Sequence, residues 1–554
     1  MKTVVYQVFT RLFGNQVTAR KEWGTLAENG SGKLNDFDAK TLKRIRDLGA
    51  THVWYTGVIR HATATDYSRY DIPRQHPEVV KGIAGSPYAI ADYYDIDPDL
   101  ATDVNRRMEE WEQLIGRTHK AGLKVVMDFV PNHVCREYKS VCKPAGVKDL
   151  GEDDKTDWHF WNQNNFYYCW GQPLELPAEV TARFKDSTYQ EVPAKATGND
   201  RFDNRPGGND WYETVKLNYG IDYCDAGGRS EHFDPVPDTW QKMTDILLFW
   251  AQKGVDAFRC DMAEMVPAAF WAWATAKVKA KFPDVQFIGE VYNPAEYRNY
   301  IRAGFDLLYD KVGMYDCVRD VICGRRQAAD ITAQWQSTED IQDHMLYFLE
   351  NHDEQRIASD FFAGDARRGI PGMMVSAWLR QNPLMVYAGQ EFGERGMDKE
   401  GFSGVDGRTT IFDYWCVDSI RRGYYDRRKL KADEKALEQQ YAQILRLANS
   451  EKAIREGQFY DLMYAQDGGF DRQHIYAFLR RAEDATLLIL VNFGEVQSDV
   501  NVTIPGHAVD FLNLPTGEVQ ATEPLTGEKR RFTLNRDEAI AVSVPALGAA
   551  VLKF

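Results

Sequence analysis

Nowhere does the sequence approach the ~18 consecutive apolar residues that a membrane-spanning helix requires, so a helical integral membrane protein is excluded. It has no surplus of positive charge. Asp and Glu number 82 against 67 Lys and Arg, a formal net charge of −15, whereas a nucleic-acid groove needs a Lys/Arg excess. Cysteine is scarce, at eight in 554 residues, with no CxxC pair and no regular spacing. Free thiols are therefore expected rather than a disulfide framework or a zinc site. No glycine-rich phosphate loop follows the first strand-like run, Val4–Phe9, which argues against a P-loop or dinucleotide fold. That run gives way to the polar Thr10-Arg11 too soon for a signal peptide, and the cytoplasm is the expected compartment.

What is present points to a large packed protein. Hydrophobic residues make up 44% and charged residues 27%, enough apolar content for a sizeable core. The 13% aromatic content serves packing and can also serve stacking on sugar faces. Between about residues 100 and 390 a strand–loop–helix grammar repeats. Met108, Trp111 and Ile115 recur at helical spacing before the run Lys124-Val125-Val126-Met127-Asp128. Trp240, Met243, Leu247 and Trp250 do the same before Val255-Asp256-Ala257-Phe258-Arg259. Further strands are expected at Gln286–Glu290, Met345–Glu350 and Pro383–Tyr387. Alternating strands and helices whose strands end in ionisable residues predict an α/β fold, a (β/α)8 TIM barrel with reactive groups at the C-terminal strand ends. The barrel is expected from 1–133 and 217–455. Residues 134–216 are too long and too irregular for a loop and are read as an inserted domain. Residues 456–554, with runs such as Leu487–Val491 and Ile540–Val544, are read as an antiparallel β-sandwich.

Four acidic motifs follow strands: Asp128-Phe129-Val130-Pro131-Asn132-His133, Arg259-Cys260-Asp261, Gly289-Glu290-Val291-Tyr292 and Asn351-His352-Asp353. Arg259 and Asp261, two apart, point to one side of a strand. Converging carboxylates with an Arg and two His suit acid–base or nucleophilic work on a polar substrate, and paired carboxylates are the usual equipment for glycosidic hydrolysis.

In this order and spacing the motifs resemble the conserved regions of the α-amylase family, glycoside hydrolase family thirteen. Tyr6–Phe9, Ser86–Tyr94 and Lys216-Leu217-Asn218 resemble three further segments of that family, whose domain B is inserted after the third strand. The resemblance implies Asp261 as nucleophile, Glu290 as general acid and base, and Asp353 as transition-state stabiliser. Arg259 would hold Asp261 ionised; His133 and His352 would bind hydroxyls of the cleaved sugar, with Tyr88 stacking beneath it. Asn132 matches the family's calcium ligand, or equally a residue that orients His133 by hydrogen bonds. No organic cofactor is implied. Many α-amylases carry a Lys-His pair after the nucleophile, where this chain has Glu264 and Met265. The implied activity is retaining hydrolysis of α-1,4-glucosidic bonds in malto-oligosaccharides or starch by a monomer, with no nucleic-acid or membrane partner. The alternatives are a cyclomaltodextrinase or neopullulanase, towards which Lys216-Leu217-Asn218 leans, a glucanotransferase or isomerase, and a catalytically silent sugar-binding protein. One of Trp158, Trp161 and Trp170 is expected to line the cleft.

Overall fold

A computed structural model describes every residue of the chain except Asp484. Eight parallel strands form one sheet: β1 (Val4–Phe9), β2 (His52–Thr56), β3 (Lys124–Phe129), β4 (Ala257–Cys260), β5 (Gln286–Gly289), β6 (Leu307–Tyr309), β7 (Met345–Leu346) and β8 (Leu384–Tyr387). Each pairs with its successor; β8 returns to β1 with Leu384 opposite Val4, and a parallel bridge from Tyr347 to Leu384 joins β7 to β8. The sheet is thereby closed into a barrel.

Period-two alternation sorts the strand residues. Val5, Trp54, Val126, Ala257, Ile288, Leu307, Leu346 and Met385 form one buried cluster inside the barrel. Their neighbours Tyr6, Val53, Val125, Phe258, Phe287 and Leu308 belong to the larger core beneath the helices. Two residues beyond the interior cluster, on the same side of their strands, come Asp128, Arg259, Glu290 and Tyr309. The alternation that fills the barrel with apolar layers thus lifts its polar residues to the C-terminal mouth.

The helices bury the faces that periodicity marks. Arg107–Lys120 buries Trp111, Leu114, Ile115 and Thr118, and Asp238–Gln252 buries Trp240, Met243, Leu247 and Trp250. Just beyond the second, Gly254 takes φ +97, the left-handed conformation that turns the chain into β4. Strand Met345–Leu346 is shorter than the expected run to Glu350. From Phe348 the chain bends away from β8 so that Glu350 can bind Arg356 Nη1 and Ile357 N.

The insertion leaves and returns through an antiparallel ladder of His133–Cys135 with Thr214–Lys216. Little regular structure lies between, so polar contacts hold it. Buried Arg136 donates to Glu191 Oε1 and Thr197 Oγ1, each at 2.8 Å, and to the carbonyl of Tyr212.

The C-terminal domain has β9 (Gln458–Asp461), β10 (Ile475–Ala482), β11 (Ala485–Asn492), β12 (Ser498–Ile504), β13 (Gly517–Thr522), β14 (Lys529–Leu534), β15 (Glu538–Val544) and β16 (Gly548–Lys553). A six-stranded sheet in the order β9-β10-β11-β16-β13-β14 accompanies the β12–β15 pair. Arg480 on β10 pins this domain to the barrel, donating to the carbonyls of Leu379, Ala453, Ile454 and Gly457. Among the described residues no helix is long and apolar enough to cross a membrane.

Candidate active site

Arg259 is the hub of the barrel mouth. It lies opposite Asp128 in the β3–β4 register and is fully buried. Its Nη1 donates to Asp261 Oδ1 at 2.8 Å and more weakly to Asp128 Oδ1 at 3.4 Å, while Nε donates to Tyr309 Oη at 3.1 Å. Nη2 sits 2.8 Å from Glu290 Oε2, off the hydrogen-bond direction, so that contact is one of charge with charge. Asp128 is tied down a second time by Trp54 Nε1 at 3.0 Å, which makes it scaffold.

Glu290 reaches the hub because glycine precedes it. A Cβ on Gly289 would come within 2.8 Å of Leu308 Cδ2 and Phe305 Cδ1. The Glu290 carboxylate accepts the Met262 N–H and the Tyr292 hydroxyl, each at 2.8 Å. Met262 holds φ 43, ψ 43, a left-handed conformation that costs a non-glycine residue on the order of 1–3 kcal/mol. That turn directs its N–H onto Glu290, so local strain is stored beside the two carboxylates.

Asp353 faces the cleft with its side chain 39% exposed, and its Oδ2 is 3.0 Å from His352 Nε2. Gln7 fixes the tautomer. Its amide nitrogen donates to Thr56 Oγ1 at 3.0 Å and contacts His352 Nδ1 at 2.8 Å, so Nδ1 accepts and Nε2 carries the proton towards Asp353. The Tyr88 hydroxyl, 2.5 Å from Nε2, completes the setting. His133 is oriented likewise: Asn132 Nδ2 is 3.1 Å from its Nδ1, leaving Nε2–H for a ligand. Burial, with Lys216 and Lys81 nearby, lowers the His133 pKa to about 3, so this ring is neutral at physiological pH.

Burial raises the Asp261 carboxyl well above its usual range, opposed by Arg259 and reinforced by Glu290, Asp353 and Asp128. Asp261 and Glu290 share one guanidinium. The aligned bond from Nη1 to Asp261 Oδ1 favours the charged form of that carboxyl. Asp353 is different. Enclosure by the cleft walls raises its pKa, yet His352, Arg259 and Arg408 together hold it below its usual value.

These groups open on a cleft of about 380 Å³ that takes in Tyr88, His133, Asp261, Glu290 and Asp353. Arg259 and His352 lie beneath it. The expected tryptophans are absent from its lining, which has Trp211 instead, together with Tyr292 and Phe412. Trp158 and Trp170 are exposed, at 48% and 70%, and Trp161 lies under the Lys155 ammonium at 3.7 Å. Sequence reasoning also missed a buried ion pair on the cleft wall, Lys81 Nζ to Glu213 Oε2 at 3.1 Å. Tyr292 had a signal, since it lies two residues beyond Glu290; the other missed residues sit in aperiodic segments.

The family profile described as the α-amylase catalytic domain matches residues 7–477. The chain belongs to the α-amylase family. Among its relatives, α-amylase 3 of Dictyoglomus thermophilum is 23% identical over 98% of this chain and 93% of its own length. Neopullulanase 2 of Thermoactinomyces vulgaris is 22% identical over 93% and 74%. The crystal structure of the Geobacillus thermoleovorans α-amylase complexed with acarbose superposes with a TM-score of 0.63, at 18% identity, covering 100% of this chain and 98% of that one.

The calcium expected of the family through Asn132 does not fit the residues present. The Asn132 amide oxygen accepts the Lys216 ammonium, and its nitrogen donates to the Gly198 carbonyl at 2.8 Å. Lys216 Nζ also lies 2.7 Å from Asp200 Oδ1 and 3.3 Å from the Met265 carbonyl. A divalent ion beside Asn132 would meet that ammonium; of its two readings, metal ligand or hydrogen-bonding residue, the contacts present are those of the second, to His133, Gly198 and Lys216. The departure at Glu264 and Met265 also has a use: Glu264 accepts the backbone N–H groups of Tyr292 and Asn293 at 3.1 and 3.0 Å, bracing the loop behind Glu290. Among the described residues one further set of ligand atoms converges, on Asp92, Asp95 and Cys142. Arg60 and Arg107 already pair with its carboxylates.

Proposed function

We propose that this cleft hydrolyses α-1,4-glucosidic bonds of malto-oligosaccharides or longer α-glucans with retention of configuration. Asp261, whose charged form the aligned Arg259 bond stabilises, attacks the anomeric carbon and forms a glycosyl ester. Glu290 protonates the leaving oxygen as the bond breaks, then takes a proton from the water that cleaves the ester. The Met262 N–H and the Tyr292 hydroxyl fix its position through both steps. Asp353, held anionic and oriented by the His352 Nε2–H, accepts hydroxyl hydrogen bonds that strengthen as the ring flattens, and neutral His133 supplies a donor. The observation that carries this reading is one guanidinium bound to both Asp261 and Glu290 at the base of a sugar-sized cleft. It favours the short carboxyl separation, roughly 5–5.5 Å, of retaining enzymes. Metal at Asn132 has no part in it, because Lys216 supplies the positive charge there.

Eight unpaired cysteines support a reducing, cytoplasmic setting. Lys216-Leu217-Asn218 and the neopullulanase relative favour cyclodextrin or pullulan as second substrates. Chromatography of products from maltoheptaose, cyclodextrin, pullulan and sucrose, with the anomer released followed by NMR, tests the proposal. Release of α-anomers from maltoheptaose is expected; β-anomers or exclusive action on sucrose would overturn it.

A further inference from the structure

A second concavity, of about 410 Å³, lies where the barrel helix Ile331–Ser337 meets the start of the C-terminal domain, and it shares no lining residue with the catalytic cleft. Its walls carry aromatic rings that the fold leaves in solvent. Tyr464 is 62% exposed and Phe511 51% exposed. In a chain that buries most of its aromatics, two such rings on either side of Tyr460, each packed against it, are the kind of exposed apolar surface that binding sites use.

The rings are braced. Tyr460 Oη lies 2.5 Å from Tyr464 Oη and 2.7 Å from His507 Nδ1. The His507 and Phe511 rings are parallel to within 15° at 6.1 Å between centroids, so they offer a stepped platform rather than a cage around a point charge. Below them, Trp335 is anchored through Nε1 to Asp461 Oδ2 at 2.8 Å and Tyr476 Oη at 3.0 Å. Binding on rings already held in place costs little side-chain entropy.

At the barrel-side edge stand Gln336 and Glu339, both exposed, whose side chains have no hydrogen-bond partner among the described residues. An amide and a carboxylate beside a flat aromatic platform match alternating hydroxyls and C–H faces. The carboxylate and the net charge of −15 disfavour an anion.

We propose that this junction is a second carbohydrate-binding site, taking a neutral α-glucan segment by stacking on Tyr464, His507 and Phe511 with hydroxyls held by Gln336 and Glu339. The proposal rests on the α-glucan reading of the catalytic cleft. A site on the same chain holds a polymer near the cleft and raises its effective concentration there, whereas short substrates gain nothing.

The test compares wild type with Tyr464→Ala/Phe511→Ala and, separately, Glu339→Ala. Migration in amylopectin-containing gels gives polymer affinity, and titration with maltoheptaose in the Glu290→Gln background gives stoichiometry. Turnover of a small chromogenic maltoside reports the cleft itself. The expected result is at least a tenfold loss of amylopectin affinity and a fall from two maltoheptaose sites to one in the double variant, with turnover of the small substrate unchanged. Glu339→Ala, at an exposed helix end, should weaken affinity several-fold and covers the case in which the double variant fails to fold. Unchanged retardation and stoichiometry in either variant would overturn the proposal, as would a single site in the parent. So would a wild-type dimer that these changes dissociate without altering glucan binding, since the surface would then be an interface between copies. If neither the small maltoside nor maltoheptaose is cleaved by wild type, the catalytic reading fails, and gel retardation still judges the junction site alone.

Discussion

Replacing Lys216 by Met removes a buried ammonium that joins three separate parts of the chain: Asn132 after β3, Asp200 in the insertion, and the Met265 carbonyl after the nucleophile. The cost can be worked contact by contact. The Asn132 amide oxygen, fully buried, loses its partner, and an unsatisfied buried acceptor costs about 1–3 kcal/mol. The Asp200 side chain is 36% exposed and recovers hydration, so its share is at most about 1 kcal/mol. The 3.3 Å contact to Met265 adds a few tenths. The sum is roughly 2–4 kcal/mol, which at about 1 °C per kcal/mol for a chain of 554 residues lowers the melting temperature by about 2–4 °C. Chelator should leave the wild-type transition where it is. Lys216→Ala, in contrast, leaves an amide oxygen, a carboxylate and a carbonyl around an ammonium-sized space, the oxygen donors that calcium takes. Millimolar calcium should therefore restore part of the lost stability in that variant and leave wild type unchanged. Differential scanning calorimetry with and without chelator and calcium measures all of this. The reasoning is refuted if chelator destabilises wild type by several degrees with calcium alone reversing it, or if Lys216→Met melts with wild type.

Three further outcomes follow from the site. Asp261→Asn should lower kcat by at least about four powers of ten, because an amide cannot form the ester, while the melting curve stays close to wild type; retention of a tenth of the rate would remove Asp261 from its role. Glu290→Gln should abolish turnover of natural glucans yet spare glycosyl-enzyme formation from an α-glucosyl fluoride, and mass spectrometry should find the label on Asp261; a label on Glu290 would reverse the two roles. Glu391, buried against the Tyr6 and Tyr424 hydroxyls, has its pKa raised by burial from 4.5 to about 7. The folded state thus binds the extra proton between those values, and stability falls as pH rises through this window, by on the order of 3 kcal/mol, then levels off. Glu391→Gln should flatten that fall, seen as denaturation midpoints at pH 5 and pH 8 that differ less than in wild type; an unchanged pH profile would show that the carboxyl is not protonated in the folded state.

Much of this molecule is legible along the chain because its signals are local. A period of 3.6 marks the faces of Arg107–Lys120 and Asp238–Gln252, and a period of two puts Arg259 and Asp261 on one side of their strand. Four acidic motifs in order then suffice to name the residues that the barrel brings together. The signal fades where elements are short or irregular. β6, Leu307–Tyr309, is three residues long, too few to show a period. The insertion has almost no regular structure, so nothing in its sequence distinguished Trp211, which lines the cleft, from Trp158, Trp161 and Trp170, which do not. Asn132 shows the limit most clearly. Its neighbours in sequence make it a calcium ligand by resemblance, but its partner is an ammonium 84 positions away, brought to it by the ladder that closes the insertion. Local pattern encodes which face of an element is buried. Which charge fills a buried space depends on the paths of distant segments, and that is decided only when the chain is folded.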